Sequence, residues 1–175
     1  MPLEHLWAAW RSAYVGQVVD SRTLPTPEGA DGRSLFERIL AGADEEGDEA
    51  TGVLWRGEHS FALLNRYPYT AGHLMVLPQR AVSELEGLSA DEHLELWTGV
   101  RAAVVALKAA LSCDGVNVGV NLGAAAGGSQ SDHLHVHCVP RWQGDANFIA
   151  VAAETHVLSM SLQEAGERIR AAWPR

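Results

Sequence analysis

His133-Leu134-His135-Val136-His137 sets three imidazoles at every second position. A strand has a side-chain period of two, so the row projects from one face while Leu134, Val136 and Cys138 turn into a core. Imidazole near neutral pH can serve as nucleophile, base or metal ligand. Just upstream, Gly127-Gly128-Ser129-Gln130-Ser131 is a small polar loop, and backbone N–H groups in such a loop can wrap an anion. Histidines beside an anion-binding loop point to chemistry at phosphorus. The spacing leaves two other readings open. One is packing; the other is zinc, because imidazoles two apart on a strand can share a metal. No Cys-x-x-Cys, no His-Glu-x-x-His and no obvious carboxylate third ligand accompanies the row.

The elements that must position this row follow from periodicity. Residues 1–33 read as a peripheral arm, with Leu6, Trp7, Trp10 and Tyr14 at helical spacing before Pro25, Pro27, Gly29 and Gly32 break regular structure. Residues 34–175 read as one domain. Ser34 to Leu40 suggests a short helix ending near Gly42. The following Asp44, Glu45, Glu46, Asp48 and Glu49 suggest a solvated acidic loop. Strands are expected over 51–56, 60–65 and 73–77, the first two forming a hairpin through Gly57 and the third stopped by Pro78. Ser89 and Glu92 form a capping box for a helix to Ser112, with Leu94, Trp97, Val100, Val104, Leu107 and Leu111 as its apolar stripe. Over 116–122, Val116, Val118, Val120 and Leu122 alternate toward the core. The histidine strand is expected over 133–139, stopped by Pro140. Pairing these last two strands brings Asn121 near the histidine face. A last helix is expected over 158–173, capped by Ser161 with Glu164. The fold class is α+β: a mostly antiparallel sheet of about five strands, one long central helix and a C-terminal helix.

Composition bounds the function. A chain of 175 residues can bury a real core, and 47% hydrophobic with 20% charged residues is ordinary for a globular protein. The net charge of −9 argues against non-specific nucleic-acid binding, which needs a basic surface. Cys113 and Cys138 make no disulfide framework and sit among apolar residues, so reduced thiols in a cytoplasmic protein are expected. No signal-peptide core and no membrane-length apolar run is present in the sequence.

His133-Leu134-His135-Val136-His137-Cys138-Val139 also fits the signature of the histidine triad (HIT) nucleotide hydrolases and transferases, in which histidines alternate with apolar residues. The resemblance extends to Leu64-Asn65-Arg66-Tyr67-Pro68-Tyr69 with Gly72-His73-Leu74-Met75-Val76-Leu77-Pro78. It extends also to Val118-Gly119-Val120-Asn121-Leu122-Gly123 leading into Gly127-Gly128-Ser129. The run from Pro140-Arg141-Trp142-Gln143-Gly144-Asp145 to Phe148 resembles the subgroup holding the actinobacterial diadenosine tetraphosphate phosphorylases. The match covers roughly residues 34–150.

That resemblance implies roles. His135 is the nucleophile, attacking the α-phosphorus of a nucleotide to leave a covalent nucleotidyl-histidine, with a backbone carbonyl near His133 fixing its proton. His133 supports the wall, His137 contacts phosphate oxygens or the leaving group, and His73 is a fourth, buttressing histidine. Asn121, Gly128 and Ser129 place donors on the phosphates. Asn65 binds ribose hydroxyls, or else caps a turn. Leu35 and Phe36 hold the base, or else pack; Trp142 covers a second nucleotide.

Many relatives carry a zinc-binding Cys-x-x-Cys where this chain has Ser34-Leu35-Phe36-Glu37, and Ala81 stands where a His can be, so no structural metal is expected. Hydrolase members often have Gln where Ser129 stands, which favours inorganic phosphate as the acceptor. The implied reaction takes diadenosine tetraphosphate and phosphate to ADP and ATP without a cofactor. Alternatives are a hydrolase of dinucleoside polyphosphates or adenosine phosphoramidates, a non-catalytic nucleotide-binding protein, and a specialised biosynthetic enzyme. The resemblance further implies a homodimer, which the tryptophan-rich arm could extend to a tetramer.

Overall fold

Three serines, Ser34, Ser89 and Ser161, each followed three residues later by a glutamate, start the long helices that flank the sheet. The structure, a computed structural model, describes residues 32–127, 130–145 and 159–174. Helix α1 spans Leu35–Glu46, and Ser34 accepts from the Glu37 N–H while Glu37 accepts from the Ser34 N–H. Its buried residues are Phe36 and Ala43. It runs through Gly42, past the end expected from sequence, to Gly47. The acidic run is therefore helical rather than a loop, and continues into α2 (Asp48–Thr51). Arg56 reaches back to both Asp44 and Asp48, which offsets their mutual repulsion.

Strands β1 (Val53–Arg56), β2 (Ser60–Leu64) and β3 (Leu74–Pro78) follow, then α3 (Ala90–Leu111), β4 (Gly115–Val120), β5 (Val136–Arg141) and α4 (Leu162–Ala172). One antiparallel sheet results, in the order β1-β2-β3-β5-β4. The α+β expectation holds in class, strand number and helices. Gly72, at φ +81°, delivers the chain into β3; a Cβ there would lie 2.3 Å from Leu111 of α3, so glycine satisfies both the backbone and the packing.

Residue parity sorts the core into two layers. Ala62, Leu64, Leu74, Val76, Val136 and Cys138 face α3 and α4, meeting Leu96, Val100, Leu107 and Ile169. Phe61, Leu63, Met75 and Leu77 face α1, meeting Phe36 and Ala43. Helix α3 approaches through small residues: Gly99 sits against Trp55 and Val76, with buried Ala103 and Ala106 beyond it. This shifts the stripe from its expected place. Val100, Leu107 and Leu111 are buried, but Leu94 is 68% exposed and Trp97 38%.

The histidine strand also departs from expectation. Its ladder begins at Val136, pairing with Val76 and Val120, so His133 and His135 precede it in non-ladder chain. The alternation still holds, because Leu134 is buried with Val136 and Cys138. Pro140 does not stop the strand. Pairing with β3 ends at Cys138, and beyond it β5 continues against β4 alone to Arg141, where a missing N–H on the β3 side costs nothing. The Thr70 hydroxyl instead donates to the Pro140 carbonyl at 2.8 Å. β4 is an edge strand, which leaves Val118 41% and the following Leu122 40% exposed rather than in the core. Helix α4 starts at Leu162 with the Ser161 cap expected for it. Residues 1–31 of the N-terminal arm lie outside the described residues, and among the described residues no helix is long and apolar enough to cross a membrane.

Candidate active site

His133 is 1% exposed and held at both ring nitrogens. Its Nε2 lies 2.8 Å from the Pro78 carbonyl, which can only accept, so the neutral ring carries its proton there. Nδ1 is then a lone pair, and it accepts from the Ser34 hydroxyl at 2.7 Å. Burial pushes the His133 pKa down, opposed by the Pro78 carbonyl and the nearby Glu37 charge. Phe36 stands edge-on against the ring, centroids 5.4 Å apart. The next residue is pinned as well, with the Leu134 N–H donating to the Val82 carbonyl at 2.7 Å.

The same logic places the proton on His135. Its Nδ1 lies 2.8 Å from the His133 carbonyl and must donate, so in the neutral ring Nε2 holds the lone pair. Phe36 tilts against this ring also, at 5.5 Å. The two histidines further along are coupled in series. The Tyr69 N–H donates to His73 Nδ1 at 3.1 Å and the Asn65 amide to the same atom at 3.3 Å, which leaves the His73 proton on Nε2. That N–H donates to His137 Nδ1 at 3.0 Å, so neutral His137 carries its proton on Nε2. Burial first, then the neighbouring imidazoles, lower His73 to about 3 and His137 to about 4. Both are therefore neutral at physiological pH. His135 and His137 stand edge to face with centroids 4.9 Å apart. The row thus presents two adjacent imidazoles of opposite capability: a lone pair on one Nε2, an N–H on the other.

The other expected residues divide. Phe36 is buried against the row, and Leu35, one turn-position away, is 39% exposed. Asn65 caps the turn, its Oδ1 accepting from the Tyr67 N–H while its amide holds His73. Asn121 follows β4 two residues after Gly119, the register partner of His137. Gly128 and Ser129 lie outside the described residues. Trp142 is not brought to the row. It packs against the core layer under α3 and α4, sharing the parity of Val136 and Cys138 rather than of His137. Sequence reasoning missed Ser34 as a partner of His133, 99 residues away, and Tyr69, whose ring lies 4.5 Å from His73 and 6.0 Å from His137. The capping-box spacing of Ser34 and Glu37 was a signal for the helix, though not for the histidine.

Ser34 and Glu37 do not fit a zinc site. The Ser34 hydroxyl is committed to His133, and Glu37 spends one oxygen on the Ser34 N–H and the other on the Ala81 N–H at 2.9 Å. Burial alone would raise the Glu37 pKa, but those N–H donors hold it below the ordinary carboxylate value. Ala81 offers no ligand atom. Among the described residues, no group of three or more His, Cys, Asp or Glu could hold a metal ion.

The chain is 40% identical over 173 residues to a Mycobacterium tuberculosis protein named AP-4-A phosphorylase, covering 99% of this chain and 86% of that one. It is 37% identical over 93 residues, about half of each chain, to an asymmetrical bis(5'-nucleosyl)-tetraphosphatase of Schizosaccharomyces pombe. Among solved structures, a zinc-bound histidine triad family protein from Mycobacterium smegmatis shares the fold with TM-score 0.63 at 24% identity, covering 79% of this chain and 91% of that one. Residues 46–144, more than half of the chain, match the HIT domain, and with the triad in place this protein belongs to the HIT family.

Proposed function

We propose that the protein is a nucleotidyltransferase that converts diadenosine tetraphosphate and inorganic phosphate to ADP and ATP through an adenylyl-histidine. The observation that carries this reading is the pair of adjacent Nε2 atoms, lone pair on His135 and N–H on His137. In the first step His135 Nε2 forms a bond to one α-phosphorus as the bond from that phosphorus to the bridging oxygen breaks, and ATP departs. The His137 Nε2–H donates to the oxygen that gains charge. In the second step a phosphate oxygen attacks the same phosphorus, the P–N bond breaks, and ADP leaves with His135 restored. The 40% identical relative named AP-4-A phosphorylase supports phosphate as the acceptor.

Around this centre we assign Gly128, Ser129 and Asn121 to the phosphates, and Leu35 with Phe36 to the base. Asn65 keeps one amide hydrogen and one lone pair for a ribose hydroxyl after its internal bonds. We read residues 34–175 as the nucleotide-binding domain of a cytoplasmic homodimer. The exposed β4 edge with Val118 and Leu122 suits pairing with a second copy.

Product analysis with diadenosine tetraphosphate, with and without phosphate, tests the reading on wild type and His135→Ala. ADP and ATP formed only with phosphate, and nothing from the variant, is the expected result. AMP and ATP without phosphate would move the acceptor to water, the reaction that the tetraphosphatase relative is named for. No turnover and no base-stable, acid-labile adenylyl adduct would overturn it.

A further inference from the structure

We infer that Ser34 is a positioning residue for the nucleophile: by donating to His133 Nδ1, its hydroxyl holds the segment whose carbonyl fixes the proton of His135. The inference rests on the reading of His135 as nucleophile, and extends it to a residue on another element.

The chain of contacts is short and buried. Ser34 is 7% exposed and His133 1%, and their bond is 2.7 Å long. The direction of that bond is set from the far side of the ring, because the Pro78 carbonyl takes the Nε2–H and leaves Nδ1 able only to accept. Ser34 can meet this need because its oxygen accepts from the Glu37 N–H and its own hydrogen remains free to donate. Glu37 then ties the start of α1 to the chain beyond β3 through the Ala81 N–H. Three anchors therefore hold residues 133 and 134: Ser34 on Nδ1, the Pro78 carbonyl on Nε2, and the Val82 carbonyl on the Leu134 N–H. Two of the three are backbone. Ser34 is the one that a side-chain substitution can remove, and its removal strands a buried acceptor beside the nucleophile.

The molecule contains its own control. Ser89 and Glu92 make the same reciprocal cap at α3 that Ser34 and Glu37 make at α1. There, Glu92 pairs with the exposed Arg80 side chain instead of with a backbone N–H of the segment beside the triad. Ser89→Ala thus removes a helix cap alone, and Ser34→Ala removes a cap together with the histidine bond.

The test combines phosphate-dependent turnover of diadenosine tetraphosphate with nitrogen-15 spectra of the histidine side chains, which report which ring nitrogen carries the proton. Ser34→Ala is expected to lower kcat by about tenfold with KM changed less than about twofold, since small losses of orientation cost rate rather than binding. Its His135 signals should move from one tautomer, Nδ1–H, to a mixture. Ser34→Thr should restore both. Ser34→Asp keeps the cap but cannot donate, so His133 should take up a second proton. Ser89→Ala should leave kcat and the His135 tautomer unchanged. A Ser34→Ala protein with wild-type kcat and an unshifted His135 tautomer would overturn the inference, as would an equal loss of kcat in Ser89→Ala. If Ser34→Ala does not fold, wild-type kcat and tautomers in Ser34→Asp would overturn it. A wild type inactive on this substrate would refute the proposed reaction, while the spectra would still decide the role of Ser34.

Discussion

The two helices with reciprocal caps, α1 and α3, make an instructive pair. Each starts with Ser-x-x-Glu, each serine accepts from the glutamate N–H at 3.2 Å, and each glutamate returns the bond to the serine N–H. Helix α3 then lays Leu96, Val100, Leu107 and Leu111 across one face of the sheet, and its cap ends in an ion pair between the buried Glu92 and the exposed Arg80. Helix α1 packs Phe36 and Ala43 on the opposite face, and its cap ends in the histidine row. The same reciprocal cap thus ends in an ion pair with Arg80 at one helix and reaches the buried histidine row at the other. A local motif acquires its role from what the fold sets beside it.

Substitutions can sharpen or break this division. The largest effect should follow from His135→Ala on the α1 side: loss of turnover by roughly 10⁴-fold or more, with the urea midpoint close to wild type. Retained turnover would break the assignment of chemistry to that face. Next comes His137→Asn, which removes the Nε2–H; kcat should fall roughly 10²- to 10³-fold, measured at saturating substrate. On the α3 side, Leu107→Ala should cost about 2–5 kcal/mol of stability by leaving a cavity, read by chemical denaturation. Its kcat below the unfolding transition should stay near wild type. A collapse of kcat there would show that α3 also shapes the site.

A pH series separates the faces differently. His73 and His137 titrate at about 3 and 4 in the fold against 6.5 in the unfolded chain, so the unfolded state binds more protons between these values. Their contribution is fully present above pH 6.5 and is lost as pH falls toward 4 and then 3. The urea midpoint should therefore drop on acidification from 6.5, and drop less steeply in His137→Asn. The smallest effect should come from Ser89→Ala: about 1 kcal/mol of stability, by thermal or urea unfolding.

The sequence displayed these two faces unequally. The α3 cap, its long helix and the period-two alternation of His133 to Cys138 were legible because each is written in neighbouring residues. The stripe on α3 was misplaced because the helix meets the sheet through Gly99, Ala103 and Ala106, which carry little hydrophobic signal, while the conspicuous Leu94 and Trp97 stay outside. The acidic run reads as solvated until Arg56, on another element, is seen to reach Asp44 and Asp48. Pro140 reads as a stop unless it is known that β3 no longer pairs there. At the site, the residue types and the row were legible from spacing and resemblance. The proton positions were not, since they depend on the Pro78 carbonyl, the Tyr69 N–H and the Ser34 hydroxyl, brought to the row by the tertiary fold.

The acceptor that orients His135 is the carbonyl of His133, two residues back on the same chain. Every amino acid carries that oxygen, so no codon change at position 133 can delete it. In a triad built on an aspartate, one substitution removes the orienting group; here heredity has no direct handle on it. Variation can reach the proton of this histidine only by moving the backbone, and the sites where it can do so are the few side chains that hold residues 133 to 135 in place.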